Sequence, residues 1–522
     1  MRKSAFLTTC LLLAGIGLGA TGESAEEVLR IKPSGDVKVL DPMLGSDSMA
    51  RNYGYMVYDT LFAVDADLKI QPQMVDAWSK SDDGMTYTFT LRDGLKFSDG
   101  ATVTSADVIA SLKRWSVNDS LGQQLNTNGA TYAEVDAKTF TLTLSKPWGL
   151  VIDALGKPGA PVPFIMPARI ADATAPTDPV KDYTGSGPFM FVAEEWVPGA
   201  KLVFTKNPHY TPRAEAASGF AGGKVAHMDR VEWLIIPDQQ TAIDALKKGE
   251  IDINEDLAAD LIPLAKQDPN VVVTKQDEIG VAQQIRLNTL QPPFNNPKVR
   301  QAVLHAVDGN DFLAAVLDDP SLGKVCPSFF ICSSPYFTDA GFPAPDLEKA
   351  KQMLAESGYD GTPVVLLDAT ENTNIHAFVT VADQLLQEIG MNTRVEAMDW
   401  ATITTRRKSK DPVDAGGWSI FISGPGGLDY LEPVSHLGLR SNCENAWFGW
   451  PCDDQIETMR ADFAGLSDLE ERKALAAKIQ ARALETVPYV PIAVQYQIRA
   501  HAANLTGILT PPAPVYWGIE RK

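Results

Sequence analysis

The segment Gly416-Gly417-Trp418-Ser419-Ile420-Phe421-Ile422-Ser423-Gly424-Pro425-Gly426-Gly427-Leu428-Asp429-Tyr430 holds the densest set of groups able to recognise a small molecule. A strand carrying a tryptophan runs into a glycine-rich turn, where backbone N–H and C=O groups can come close to a ligand. Trp418 supplies a stacking face, Ser423 and Tyr430 supply hydroxyls, Gly424 a bare backbone, and Asp429 a carboxylate. The same residues have structural uses. Trp418 equally fills a core, and Asp429 equally caps the next turn from solvent.

Further positions complete the candidate set. Tyr53 reads as a cleft residue or as a core tyrosine. Trp447, in Trp447-Phe448-Gly449-Trp450-Pro451, lines a site or braces the loop between Cys443 and Cys452, with Trp450 on the bracing side. Arg406 and Arg407 follow Asp399-Trp400 on an expected helix. One of them could clamp a carboxylate bidentately, and only one, because adjacent helical residues face different directions. Arg406 is the candidate; an ion pair inside the protein is the alternative for either.

Catalytic chemistry finds little equipment. Ser321-Leu322-Gly323-Lys324 matches Ser-x-x-Lys, which some acylating hydrolases use, but the partner Lys-Thr-Gly and Ser-Asp-Asn elements are missing. No Gly-x-Ser-x-Gly elbow, His-Glu-x-x-His helix or phosphate-binding glycine loop occurs. The six histidines are scattered, with no company suited to a general base or a metal. The expectation is no catalytic residue, no metal and no cofactor. Five cysteines occur, four of them beyond the first 25 residues, as the pairs Cys326 with Cys332 and Cys443 with Cys452. In an oxidising compartment that spacing suggests two short-loop disulfides. A zinc knuckle would need a two-residue gap and nearby histidines, and neither pair has them.

The elements that must position these groups alternate between strand and helix. Tyr87, Phe89 and Leu91 alternate with threonines, as do Phe140, Leu142 and Leu144, and Val231, Trp233 and Ile235 repeat the period of two, each a half-buried strand. Thr104 caps a helix with Asp107 in its first turn, and Asn296-Pro297 opens another bearing Val299, Ala302, Val303 and Ala306. Further helices run from Asp346 to Gly358, along Ile375 to Ile389, and from Asp468 to the residue before Pro488. Mixed strands and helices over this length give α/β lobes, and more than one core.

Arg2 and Lys3, the apolar run Phe6 to Ala20 and the small residues Ala20-Thr21-Gly22 form a secretory leader, residues 1–22. The net charge of −20 repels nucleic acid and anionic lipid, and argues against both as partners. The hydrophobic content of 45% suits a globular chain, expected to act as a monomer.

A series of segments in order resembles the large peptide- and nickel-type solute-binding proteins of ABC importers, family 5. They begin with Asp41-Pro42 and Tyr58-Asp59-Thr60-Leu61. Leu91-Arg92-Asp93-Gly94, Lys96-Phe97-Ser98-Asp99-Gly100 and Thr104-Ser105-Ala106-Asp107-Val108 follow. Gly185-Ser186-Gly187-Pro188-Phe189, Asn207-Pro208-His209-Tyr210, Lys248-Gly249-Glu250-Ile251-Asp252, Val299-Arg300-Gln301-Ala302 and Pro488-Tyr489-Val490-Pro491 continue the match. The resemblance implies a type II periplasmic-binding-protein clamp of two α/β lobes with an extra inserted subdomain. Lobe I would comprise 26–60, 185–284 and 488–522, the subdomain 61–184, and lobe II 285–487, with the chain crossing near Arg286-Leu287-Asn288 and Pro488-Tyr489. It also implies a periplasmic protein that captures a small molecule or short peptide and passes it to an inner-membrane permease. In the family's peptide binders an aspartate of the glycine-rich region holds the ligand's amino terminus. That acidic motif is altered here: either Asp429 takes the role, or the site holds no α-amine. The rival functions are the Ser-x-x-Lys hydrolase and a signalling or adhesion module built on the same fold.

Overall fold

The structure, a computed structural model, describes residues 26–45, 47–466 and 468–522. The leader 1–22 lies outside the described residues. Two large sheets organise the chain. The first has seven strands, in the order Phe189–Phe191, Lys201–Lys206, Arg230–Leu234, Val28–Lys32, Ile253–Asn254, Ile498–Ala502 and Val271–Lys275. The second has six, in the order Gly323–Lys324, Val490–Gln495, Val281–Leu287, Ile420–Ser423, Val364–Ala369 and Thr393–Met398. Each sheet is the centre of an α/β lobe. A separate four-stranded antiparallel sheet is built from 75–80, 86–91, 139–143 and 131–134.

Local signals explain the elements. Thr86–Leu91 buries every second residue, which puts Tyr87, Phe89 and Leu91 on one face and threonines on the other. Helix Ser105–Asn118 begins with a Thr104–Asp107 capping box. Helix Pro297–Ala306 starts at the Asn296 cap with proline in its first turn, and helix Leu469–Thr486 at the Asp468 cap. Around the second sheet, Leu366, Phe378, Val379, Leu386 and Ile420 form a dry core.

A buried ion pair ties the segment holding the four-stranded sheet to lobe I, and a second lies within lobe I where the chain enters that segment. Arg114 donates to Asp41 at 2.7 Å, and Lys224 to Asp59 at 2.7 Å with Tyr210 on the other carboxylate oxygen at 2.8 Å. A buried pair of this kind sets register more than it stabilises, since desolvation offsets most of its attraction.

The chain leaves the first sheet after Lys275 and enters the second at Val281; it returns between Gln495 and Ile498. The crossings therefore fall at 276–280 and 496–497 rather than near 286–288 and 488–489. Residues 281–284 and 490–495 pair inside the second sheet, strand against strand, and go with lobe II. The second expected boundary falls in the apolar run 487–494 and the first inside the strand 281–287 beside Gln283-Gln284, so no turn signal marks either one. The two crossings lie side by side, joined by a hydrogen bond from Gln276 N–H to Gln497 O at 2.8 Å.

Candidate functional site

In sheets of this kind ligands bind beyond the carboxyl ends of the parallel strands, where connections part. In lobe I the parallel set is Val28–Lys32 with Arg230–Leu234 and Ile253–Asn254; in lobe II it is Val364–Ala369 with Thr393–Met398 and Ile420–Ser423. The loops that follow these strands face each other across a cleft of about 950 Å³. Gln239 and Asp256–Leu261 line it from lobe I, Asn372, Asn374, Gly424 and Gln495 from lobe II, and Gln497 from the second crossing. A recess of about 400 Å³ shares Gln283, Asn372, Asn374 and Gly424 with the cleft, and is bounded by Trp400, Arg407, Ser423, Pro425 and Trp447.

The sequence candidates separate sharply. Ser423, Gly424 and Trp447 line the recess. Gly424 has to be bare, because a Cβ there would stand 2.6 Å from Val281 and 2.8 Å from the Gln283 amide. Its turn is bonded to the first crossing: Gly427 N–H donates to Gly280 O and Ala282 N–H to Pro425 O, both at 2.9 Å. Asp429 lies on the far side of the same turn, in a separate cavity of about 170 Å³ between lobe II and the inserted segment, where Gly159 faces its carboxylate. Burial pushes the Asp429 carboxyl up, against the pull of Arg51 and then Lys157. Among the described residues no side chain or N–H donates to that carboxylate.

The other four candidates are packed into the protein. Trp418 is fully buried, its indole against Phe421 and Trp450 at 5.1 and 5.9 Å, and serves the lobe II core. Tyr53 is fully buried against Phe191 and Phe204. Tyr430 is buried between His436 and Tyr489. Arg406 is spent inside lobe II: it pairs with Glu396 and donates to Gly416 O at 3.2 Å and Gly417 O at 2.9 Å. None of these side chains presents a free face to the cleft.

The neighbour of Arg406 is the group that sequence reasoning passed over. The Arg407 guanidinium borders the recess with its carbon 4.7 Å from the Phe448 ring, 5.6 Å from Trp400 and Phe421, and 5.7 Å from Trp447. Among the described residues it has no carboxylate within ion-pair distance, and its Nε is buried without a partner. Burial lowers its affinity for the proton. A cation walled by aromatic faces and denied a counter-ion is a prepared receptor for an anionic group, since the rings remove water that would weaken the attraction.

Both disulfides are formed, Cys326–Cys332 and Cys443–Cys452. Ser321 Oγ donates to Asp319 at 2.6 Å in a turn and, among the described residues, makes no hydrogen bond to Lys324, so the Ser-x-x-Lys pairing is not formed. Among the described residues there is no group of side chains able to hold a metal ion, and no helix is long and apolar enough to cross a membrane.

Comparison with known proteins places this geometry. Residues 69–447 match the model of "Bacterial extracellular solute-binding proteins, family 5 Middle". The chain is 37% identical, over 98% of both sequences, to a probable peptide ABC transporter periplasmic-binding protein of Sinorhizobium fredii. It is 26% identical, over 96% of both, to a glutathione-binding protein of Salmonella typhi. Among solved structures, a periplasmic binding protein of A. tumefaciens R10 in complex with agropinic acid covers 95% of this chain and 99% of its own, at 25% identity and a TM-score of 0.74. A dipeptide-binding protein of Pseudoalteromonas sp. SM9913 shares the fold at a TM-score of 0.76 and 19% identity, covering 95% of this chain and all of its own. The two-lobed clamp, the cleft beyond the strand ends and the matched span together show that the chain belongs to family 5 of the bacterial extracellular solute-binding proteins.

Proposed function

We propose that this periplasmic solute-binding component of an ABC importer captures a carboxylate-bearing, amino-acid-derived solute, a short peptide or an amino-acid conjugate, and delivers it to an inner-membrane permease. The observation that carries the reading is the unpaired Arg407 guanidinium at the recess wall. A solute carboxylate would satisfy its donors bidentately, and Trp400 and Trp447 would cover the adjoining atoms. The side-chain amides of Gln283, Asn372, Asn374 and Gln495 can each donate and accept, which suits peptide groups or hydroxyls along the body of the solute. The ligands for which two relatives are named, glutathione and agropinic acid, are both carboxylated amino-acid derivatives, in keeping with this class.

The clamp supplies the mechanism. Each lobe holds half of the contacts, so a solute touching both favours the closed arrangement by the difference in contact between the two states. The crossings at 276–280 and 496–497 are the hinge in this reading, and the leader is removed on export to leave a monomer. Binding is without catalysis, as in the family.

Native mass spectrometry of protein purified without denaturation identifies the retained solute, and calorimetric titration with that solute measures affinity. Arg407→Gln should weaken it by about 1.5–3 kcal/mol, about ten- to more than a hundredfold. Unchanged affinity in Arg407→Gln would sink the reading.

A further inference from the structure

The Arg407 anchor is held by rings, and two of those rings, Trp447 and Phe448, belong to the loop closed by Cys443–Cys452. That loop is unusually constrained. Cys443 at φ 59° and Trp450 at φ 46° occupy the left-handed region that favours glycine, and Gly449 between the rings and the disulfide lies at φ 100°. Such a backbone persists only when its surroundings fix it. Thr289 N–H and Oγ both donate to Gly449 O, at 2.9 and 2.8 Å. Arg286 completes the fixture from below. It is fully buried and among the described residues has no carboxylate partner; its guanidinium donates to Phe448 O at 2.5 Å, Trp447 O at 3.3 Å, Gly438 O at 3.0 Å and Pro488 O at 3.3 Å. The Trp447 ring is thus shared by two guanidiniums, with Arg286 at 5.1 Å and Arg407 at 5.7 Å.

We propose that the disulfide-closed loop Cys443–Cys452, with Arg286 beneath it, is the positioning unit of the anionic subsite: it fixes the two rings that aim the Arg407 guanidinium at the recess, and so selects solutes with a carboxylate at that end. The inference rests on the functional reading above for what Arg407 binds, and on geometry alone for what holds it. Arg286 lies on strand Val281–Leu287, whose other end enters the first crossing, and Pro488 precedes the strand that enters the second. The anchor is therefore referenced to the two strands about which the lobes turn. The second disulfide, Cys326–Cys332, borders neither the recess nor these rings, which makes it the matched control.

The test needs no knowledge of the solute. Phenylglyoxal reacts with accessible guanidiniums, and peptide mapping reads each arginine separately. Arg406, one residue away and paired with Glu396, is the internal reference. In the full mature protein, Cys443→Ser with Cys452→Ser should raise the Arg407-to-Arg406 labelling ratio about threefold or more as the rings leave the guanidinium. Cys326→Ser with Cys332→Ser should leave the ratio as it is. Phe448→Ala, which keeps the disulfide, should raise it as well, and provides the reading if the cysteine variant fails to fold. A general loss of stability would move both arginines together, so an unchanged ratio in the folded variants overturns the proposal. Failure of Arg407→Gln to weaken solute binding would overturn the functional reading alone, and leave the labelling result standing.

Discussion

His436 is fully buried and held on both sides: one ring nitrogen, Nε2, meets Phe329 O at 2.8 Å, and Nδ1 accepts the Leu439 N–H at 3.1 Å. The acceptor role of Nδ1 puts the proton of the neutral ring on Nε2. Burial, with Arg460 and Arg286 nearby, pushes its pKa down to about 3. The unfolded ring takes up a proton near 6.5 and the folded one does not, so this contribution is full above 6.5 and is lost as pH falls toward 3. Glu255 has the opposite sense. Burial raises it to about 8 although Ser34 N–H donates to it at 3.2 Å; its contribution is full below about 4.5 and is lost as pH rises through 8. Thermal melts from pH 4 to 9 should therefore show two opposite changes of slope. His436→Gln flattens the acid limb, and Glu255→Gln flattens the alkaline one. The pair Arg406 and Arg407 shows what sequence could and could not tell at this scale. Adjacency on a helix requires that at most one face the ligand, but the choice is made by Glu396, which stands on a neighbouring strand and takes Arg406. Trp418 and Tyr53 were open between site and core because an aromatic residue suits both, and only packing decides.

At the scale of elements, strands and helices followed from alternation and caps, and the glycine-rich turn after Ile420–Ser423 was recognisable by composition. What the turn touches was not. Gly427 lies against the first crossing, where a Cβ would stand 2.4 Å from both Ile279 and Ile331. Gly427→Ala should cost about 1–3 kcal/mol, read by chemical denaturation, because Ile279 Cγ2 is branched directly from its Cβ and the Gly280 carbonyl would stand 2.8 Å away, so the backbone must shift. Removing Cys326–Cys332 should cost about 2–3 kcal/mol by the entropy of a short loop. The amides of the cleft had no signature at all. Gln283, Asn372 and Gln495 come from three separate elements, and nothing in their spacing marks them as neighbours.

For the whole molecule, the collinear motifs carried the family and hence the two-lobed plan, while the exact crossings needed strand register. Closure is measurable by small-angle scattering. Saturation with the retained solute should reduce the radius of gyration, and Arg407→Gln should need proportionately more solute to reach the same compact curve. The hydrogen bond between Gln276 and Gln497, with Lys275 Nζ 3.9 Å from the Tyr496 ring, binds the two connecting strands into one ribbon. The hinge proposed above runs through these two laced connections, so their local geometry sets the resting angle between the lobes. Affinity can then be tuned from outside the cleft: a substitution at Lys275 that shifts that angle would multiply every dissociation constant by a common factor, and leave the order of preference among solutes untouched.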